Sequence, residues 1–507
     1  MQGLLQRGVR VRVAEFVKVL GVDADFPLPD AEVRGIAVDS REVRDGDVFF
    51  ALPGTREHGI RYLNDALTRG ALLCVTDEAP PGGKAERVIL VPDAMDALCR
   101  ASSHFYGNPS SSLTVVGVTG TNGKTTISYL LESIFESAGF RTGVVGTVNY
   151  RVGGKLIREG LTTPFPHQLQ GALAEMRDCG ARYSVVEVSS HGLAQGRVRG
   201  IEFSAAVFTN LSRDHLDYHG DMESYYSAKK RLFVEHLRGG DALSVVNVDC
   251  PYGKRLAGEA GGRVVTCSLK GEGDFTAESA LLTIGGIDAN LRWGGGSLRV
   301  RSSLVGRHNL ENILLASACA LSLGIPPDRV EEGIEALKSV PGRLERVKVK
   351  QGAEFFVDYA HTPDGLRNVV EALIPFRTGR LIVVFGCGGD RDRGKRPIMG
   401  EVVASRADVT VVTSDNPRSE DPRAIIDEIL PGCERAGAVR VSSLPGNGPG
   451  RVYLVEPDRR KAIGLAVDMA RPGDIVLVAG KGHETYQIIG QERIEFDDRA
   501  VLREYGA

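Results

Sequence analysis

LTVVGVTGTNGKTTISYLLESIFESA, residues 113–138, reads as a strand (Leu113 to Val118), a glycine-rich turn and a helix from Thr125 to about Ala138. Glycines in such a turn let the backbone curl until successive N–H groups and the positive end of the helix dipole face one anion. In Gly120-Thr121-Asn122-Gly123-Lys124-Thr125-Thr126 the spacing sets Lys124 against the β- and γ-phosphates of a nucleotide, and Thr125 offers its hydroxyl to Mg2+. The strict GxxxxGK[ST] pattern is not met, because position 118 is Val and the earlier glycine is Gly117. A glycine turn with an unrelated lysine is the bland alternative. The strand before it, the helix after it and the paired threonines favour a phosphate site, with ATP as the energy source.

A phosphate loop of this kind needs a second Mg2+ contact, usually an acid at the end of a neighbouring strand. Glu187 stands where the apolar run Tyr183 to Val188 gives out, and a carboxylate there is costly unless a metal or base meets it. A solvated strand-end glutamate is the alternative. The segment Asn210 to His219 holds Asp214, His215, Asp217 and His219, which leaves metal ligation and a local hydrogen-bond network equally open. At Gly386-Cys387-Gly388 the third glycine of a dinucleotide fingerprint is replaced by Arg391, which argues against NAD.

Outward from the loop, the chain organises itself into three α/β units, as its 507 residues suggest. Residues 1–111 alternate short β-like runs (Gly35 to Val38, Asp47 to Leu52, Ala71 to Val75) with a helix-like stretch, Arg61 to Thr68, and end in the turn-rich Tyr106 to Ser112. Residues 112–340 continue with strands at Tyr183 to Val188 and Ala205 to Phe208 alternating with helices, the sign of a mostly parallel sheet. After a break near Pro341-Gly342, residues 341–507 carry Leu381 to Phe385, Val409 to Thr413 and Ile475 to Ala479, apolar runs of strands buried on both faces, so a second, Rossmann-like doubly wound sheet is expected. Gly446 to Gly450 reads as a mobile loop.

Composition excludes several classes. Hydrophobic residues at 42% and charged residues at 25% rule out a disordered or fibrous chain. The 62 basic residues against 65 acidic ones argue against a nucleic-acid binder built on bulk charge. Eight scattered cysteines without a CxxC pair are neither a disulfide framework nor a zinc ribbon. No apolar run reaches the ~18 residues of a membrane span, and Arg7, Arg10 and Arg12 interrupt the N-terminal apolar residues, so a cytoplasmic protein is expected. Glycine, at 62 residues, is in excess of the ~7% of average usage, which suggests many tight loops close to ligands.

GTNGKTT, EVSSHGL (Glu187 to Leu193), NLSRDHLDYHG (Asn210 to Gly220), RHNLENILLA (Arg307 to Ala316), DYAHTPD (Asp358 to Asp364) and GKGHE (Gly480 to Glu484) together resemble the Mur ligase family, in the family's order and over nearly the whole chain. The resemblance implies an ATP-dependent amide ligase of bacterial cell-wall precursor synthesis, with an N-terminal uridine-diphosphate domain, a central ATPase domain and a C-terminal amino-acid domain. It is nearest to the branch that adds meso-2,6-diaminopimelate to UDP-N-acetylmuramoyl-L-alanyl-D-glutamate through an acyl phosphate, with release of ADP and phosphate. Its partners would be these small molecules, with no nucleic acid and no membrane span, and the protein would be a monomer.

Residue by residue, the resemblance assigns Thr125 and Glu187 to one Mg2+, His215 to a second, and Lys124 to the phosphates. Lys229 matches a lysine carbamylated in many members; carbamate formation needs the neutral amine, and the adjacent Lys230 and Arg231 are expected to favour it by like-charge repulsion. Without the resemblance, Lys229 reads as part of a solvated basic helix face. Asn309, Arg343, Asp358 and His361 match nucleotide contacts. Ser40 and the turn Thr55-Arg56-Glu57 match the uridine-diphosphate site, while Thr162, Thr163, Ser189, Gln195 and Arg197 match the muramoyl-dipeptide site. Asp415-Asn416-Pro417-Arg418, with Arg391, Gly480 and Glu484, matches the amino-acid site, and lysine-adding relatives lack the arginine of that tetrapeptide. An arginine fork suits a distal carboxylate, which lysine does not have. The alternatives are a lysine-adding sister ligase, folylpolyglutamate synthase, which lacks the N-terminal domain, and a P-loop nucleotide-dependent binding protein that does not ligate.

Overall fold

The structure, a computed structural model, describes residues 10–54, 57–80, 86–349, 352–442 and 450–506. Thr55, Arg56 and most of the loop Gly446 to Gly450 lie outside the described residues.

The N-terminal sheet is wholly parallel, in the order Gly35–Ala37, Asp47–Ala51, Leu73–Thr76, Val88–Leu90. The helix expected over Arg61 to Thr68 begins as a 3-10 turn, Gly59–Tyr62, and becomes α-helical at Leu63–Thr68. Helices Val13–Leu20 and Ala94–Phe105 pack together and close a core containing Phe16, Phe50, Leu98 and Phe105. The second of these helices is capped by Asp93, whose carboxylate accepts from the Asp96 N–H at 2.9 Å. Arg199 pairs with Asp93 at 2.8 Å, and Arg177 donates to the Tyr106 carbonyl at 3.0 Å, tying this unit to the next.

Eleven strands form the central sheet. Thr114–Thr119 lies between Tyr183–Glu187 and Ala205–Phe208, parallel to both, with Glu187 in register with Val118. Helix Lys124–Ser137 follows the glycine turn; its Ile127, Leu130, Leu131, Ile134 and Phe135 recur at helical spacing and are fully buried in the core. The sequence reading did not foresee an antiparallel meander at one edge, Phe275–Thr283, Gly286–Trp293 and Gly296–Ser302. It does alternate, with Leu291, Leu298 and Val300 inward and Arg292 and Arg299 outward, and Phe275 stacks on Trp293 with ring centroids 5.7 Å apart.

The C-terminal sheet runs Glu345–Val347, Glu354–Asp358, Ile475–Ala479, Leu381–Phe385, Val409–Val412, Val452–Val455, Val439–Arg440, parallel except for its first strand. Its four central strands are buried almost throughout, in keeping with the apolar runs read from the sequence. Among the described residues no helix is long and apolar enough to cross a membrane, and all eight cysteines are free.

Candidate active site

Loops at the carboxyl ends of parallel strands in the central and C-terminal sheets line two adjoining chambers, the position where open α/β sheets bind ligands. One, of about 680 Å³, is lined by Thr121 to Thr126, Thr147, Asn309, Arg343 and Asp358. The other, of about 390 Å³, is lined by Arg391, Asp415, Asn416, Arg418, Gly480 and Glu484. Asp214, His215, Tyr359 and His361 border both.

The glycine turn has the backbone that an anion cradle requires. Gly120 (φ 146°) and Gly123 (φ 91°) lie in the left-handed half of the map, and a Cβ on either would collide with Thr209 or Asn312. Lys124 donates to the Gly120 and Thr121 carbonyls at 2.9 and 3.0 Å, which folds its amine back over the turn. Burial lowers its pKa, opposed by the charge of Glu187.

Glu187 is 1% exposed; hydroxyls and an N–H surround its carboxylate, and among the described residues it forms no ion pair. It accepts from Thr125 Oγ1 at 3.1 Å, Thr147 Oγ1 at 2.7 Å, the Thr147 N–H at 3.2 Å and Ser128 Oγ at 3.4 Å. Arg343, from the start of the C-terminal unit, donates to the same Thr125 hydroxyl at 3.0 Å and lies over the Tyr359 ring at 4.6 Å. The central and C-terminal units therefore meet at this hydroxyl. A carboxylate with a hydroxyl beside it is a hard-oxygen donor set of the kind Mg2+ prefers. Among the described residues no group of three or more His, Cys, Asp or Glu side chains is arranged to hold a metal, so an ion here would complete its shell with water and phosphate oxygens.

Lys229 is 1% exposed, which overturns the solvated-face reading. Its amine donates to the Gly120 carbonyl at 2.8 Å and sits 4.8 Å from the Tyr225 ring centre. Its pKa is driven well down by burial and then by the charge of Lys124. The expectation that Lys230 and Arg231 do this is corrected, since both are neutralised on the helix flank: Lys230 pairs with Glu259 at 3.2 Å and Arg231 with Glu235 at 2.8 Å.

His215 has a left-handed backbone (φ 53°) and lies 3.3 Å from Asp214. It meets His191 edge-on at 4.8 Å between ring centres, and His191 packs on Tyr218 at 4.2 Å. Burial pushes His215 down to about 4 against the opposing charge of Asp214, and His219 down to about 4 against that of Asp217; burial lowers His191 as well. Asn309 donates to the Val305 carbonyl at 2.8 Å and accepts from Asn312 at 3.1 Å. Asp358 accepts from the N–H groups of Ala360 at 2.7 Å and Leu344 at 2.6 Å, and the His361 Nδ1–H donates to the Tyr359 carbonyl at 2.8 Å. These contacts shape the wall of the larger chamber.

In the smaller chamber, Asp415 and Asn416 are buried beyond the strand Val409–Val412, followed by Pro417 and Arg418. Lys481, fully buried, reaches Asn416 Oδ1 at 3.0 Å and Glu484 at 3.2 Å, and Asn416 donates to Glu484 at 2.8 Å. Gly480 (φ 117°) has no room for a Cβ beside the Asp415 carboxylate. Arg418 and Arg391 converge on Gly388, and neither forms an ion pair among the described residues. Arg391 has its pKa lowered by burial and then by Arg418, as two cations facing one space must.

Thr162 and Ser189 line the larger chamber, the first sharing a hydrogen bond with Thr147 at 3.0 Å, the second capping a short helix through the Gly192 N–H at 3.1 Å. The Thr163 hydroxyl is already engaged, donating to the Glu187 carbonyl at 2.8 Å and accepting from the Ser189 N–H at 2.9 Å. Arg197 donates to the Thr163 carbonyl at 2.8 Å and to Gln195 at 2.5 Å. Ser40 is buried in the N-terminal unit, and Glu57 holds Arg61 and Tyr62 on its surface, apart from both chambers. The sequence reading singled out neither Thr147, Tyr359 nor Lys481. The last two lie inside motifs it quoted; Thr147, a lone hydroxyl in Gly146-Thr147-Val148, carries no signal.

Three family models match the chain: "Mur ligase family, catalytic domain" over residues 32–106, "Mur ligase middle domain" over 118–320 and "Mur ligase, glutamate ligase domain" over 342–482. A UDP-N-acetylmuramoyl-L-alanyl-D-glutamate–2,6-diaminopimelate ligase of Geobacter metallireducens is 47% identical over 92% of this chain and 93% of its own length. A protein of the same name from Gloeobacter violaceus is 46% identical over 97% and 98%. A solved structure of a ligase of that name is 33% identical and superposes with a TM-score of 0.68, covering 98% of this chain and 99% of its own.

Proposed function

The chain belongs to the Mur ligase family, and we propose that it joins meso-2,6-diaminopimelate to UDP-N-acetylmuramoyl-L-alanyl-D-glutamate at the expense of ATP. The observation that carries the substrate choice is the pair of guanidinium groups, Arg391 and Arg418, facing the smaller chamber with no ion pair to either among the described residues. meso-Diaminopimelate supplies that carboxylate at its far end; lysine would leave both cations unmatched.

The larger chamber takes ATP with its phosphates on the N–H groups of Gly120 to Thr126. Lys124 swings from its carbonyl contacts to the phosphates, and Asn309, Arg343, Asp358 and His361 border the rest of the nucleotide. The D-glutamyl carboxylate attacks the γ-phosphorus, ADP leaves, and an acyl phosphate forms. The amine of diaminopimelate then displaces phosphate. Positioning and charge neutralisation account for most of the acceleration in such transfers. Mg2+, when bound, neutralises phosphate charge. Thr125 and Glu187 would hold one ion, and His215 with a carbamate on Lys229 a second. The depressed basicity of Lys229 supplies the neutral amine that reacts with carbon dioxide.

The UDP-sugar spans Ser40 and the Thr55-Arg56-Glu57 turn in the N-terminal unit and Thr162, Thr163, Ser189, Gln195 and Arg197 in the central one. Residues 1–111, 112–340 and 341–507 are the corresponding domains, in a cytoplasmic monomer. The test is phosphate release from ATP: it must require both the UDP-dipeptide and an amine, and release with either omitted would refute ligation.

A further inference from the structure

We propose that Arg396, Glu420, Asp390 and Ser419 form a positioning clamp that fixes the spacing of Arg391 and Arg418, and thereby sets the selectivity of the smaller chamber for a substrate with a distal carboxylate. This rests on the proposed function above for the identity of that substrate.

Arg391 and Arg418 belong to separate loops, each at the end of a different strand of the C-terminal sheet, and long cations on loops do not by themselves hold a fork in place. The two loops are stitched together at several points. Gly389 donates its N–H to the Asn416 carbonyl at 2.9 Å, and Arg418 Nη1 donates to the Gly389 carbonyl at 2.9 Å. Asp390 accepts from Ser419 Oγ at 2.6 Å, while its own N–H donates to Glu420 at 2.6 Å. Beneath them lies Arg396, 0% exposed, with Glu420 at 2.8 and 3.0 Å and the Gly388 carbonyl at 3.3 Å. Glu420 is held down to about 2 by its hydrogen bond to Arg396, so it is ionised at any working pH.

The backbone shows the constraint as well. Asp390 and Arg418 both have φ of 53°, a left-handed conformation that non-glycine residues adopt at a cost, and which persists where surrounding bonds over-determine it. Asp390 precedes Arg391 and is tied to Ser419, the residue after Arg418, so one arginine's loop holds the other's in place. Two like charges facing one space repel. A clamp that resists that repulsion before substrate arrives leaves less ordering to be done on binding.

The clamp residues do not line the chamber, so their loss should act through Arg391 and Arg418 alone. The test compares Glu420→Gln and Ser419→Ala with wild type, by phosphate release, for the KM of meso-diaminopimelate, ATP and UDP-dipeptide. Wild type is measured first: no ligation of diaminopimelate there would refute the proposed function and not the clamp. The expected result is a rise of tenfold or more in KM for diaminopimelate in Glu420→Gln and three- to tenfold in Ser419→Ala, with kcat within threefold and the other two KM values unchanged. The preference over lysine should narrow by the same factors. Glu420→Gln disturbs a buried ion pair and is scored only if it melts like wild type; Ser419→Ala, exposed and outside that pair, decides otherwise. Unchanged KM for diaminopimelate in the folded variants, or an equal shift in all three KM values, would overturn the clamp.

Discussion

Replacing Arg418 by alanine removes one guanidinium from the smaller chamber, and the surrounding contacts bound the effect. The backbone of Arg418 stays tied, because its N–H donates to the Ile488 carbonyl at 3.1 Å and its carbonyl accepts from the Gly490 N–H at 2.7 Å. Its φ of 53° disfavours alanine and arginine alike, so the substitution adds no large backbone penalty. What is lost is a charge-assisted pair with the distal carboxylate, worth about 2–4 kcal/mol when desolvated, together with the Nη1 hydrogen bond to the Gly389 carbonyl that helps tie the two loops. Some of that is returned, since Arg391 no longer faces a second cation. The expected fall in kcat/KM for meso-diaminopimelate is roughly 30- to 1000-fold. Lysine should remain poor, because Arg391 still meets its empty end and no new contact is made. Phosphate release at saturating ATP and UDP-dipeptide, over a series of diaminopimelate concentrations, measures this directly. An Arg418→Ala enzyme that keeps wild-type kcat/KM would refute the assignment of the chamber.

Lys124→Ala should abolish ligation while leaving UDP-dipeptide affinity, read by calorimetry, within about twofold; equal loss of both would mean that the phosphate loop is misplaced. Lys229→Ala should be nearly inactive, unmoved by bicarbonate and partly restored by a short carboxylate such as acetate; full activity would remove Lys229 from the machinery. Thr147→Val deletes a hydroxyl donating to Glu187 at 2.7 Å, and a hydrogen bond to a charged group is worth about 1.5–3 kcal/mol. It should therefore lower kcat roughly 10- to 150-fold and raise the Mg2+ concentration for half-maximal rate, with no change in UDP-dipeptide KM. Glu311, beside the larger chamber, is pushed up to about 7 by burial, with Arg307 and Lys270 opposing and Asp249 reinforcing. A native pKa above the unfolded one means stability present below the unfolded value and lost as pH rises through about 7. Glu311→Gln should accordingly melt higher than wild type at pH 8, and the gap should narrow as pH falls and close below about pH 4.5.

The fold was legible where pattern and burial coincide. The runs at Leu381 to Phe385 and Ile475 to Ala479 are apolar because they are covered on both faces, and the strands fall on those residues. The meander Phe275–Ser302 was missed because its exposed face, with Arg292 and Arg299, dilutes the hydrophobic signal of a half-buried sheet edge. Glu187 was readable as an acid at the end of an apolar strand, but the hydroxyls that hold it were not: Thr147 comes from a different strand end, brought near by sheet order. Lys229 shows the limit in the other direction. Its neighbours in sequence, Lys230 and Arg231, suggested the wrong cause for its lowered basicity, because on a helix consecutive residues face different ways. Only packing reveals that Lys229 points at the Gly120 carbonyl and Lys230 at Glu259.

The most direct test of the account is the ratio of kcat/KM for meso-diaminopimelate and L-lysine with the wild-type enzyme, ATP, Mg2+ and UDP-N-acetylmuramoyl-L-alanyl-D-glutamate, followed by phosphate release. A chamber built around Arg391 and Arg418 predicts a preference for diaminopimelate on the order of 10⁴-fold. Comparable rates with lysine would contradict it.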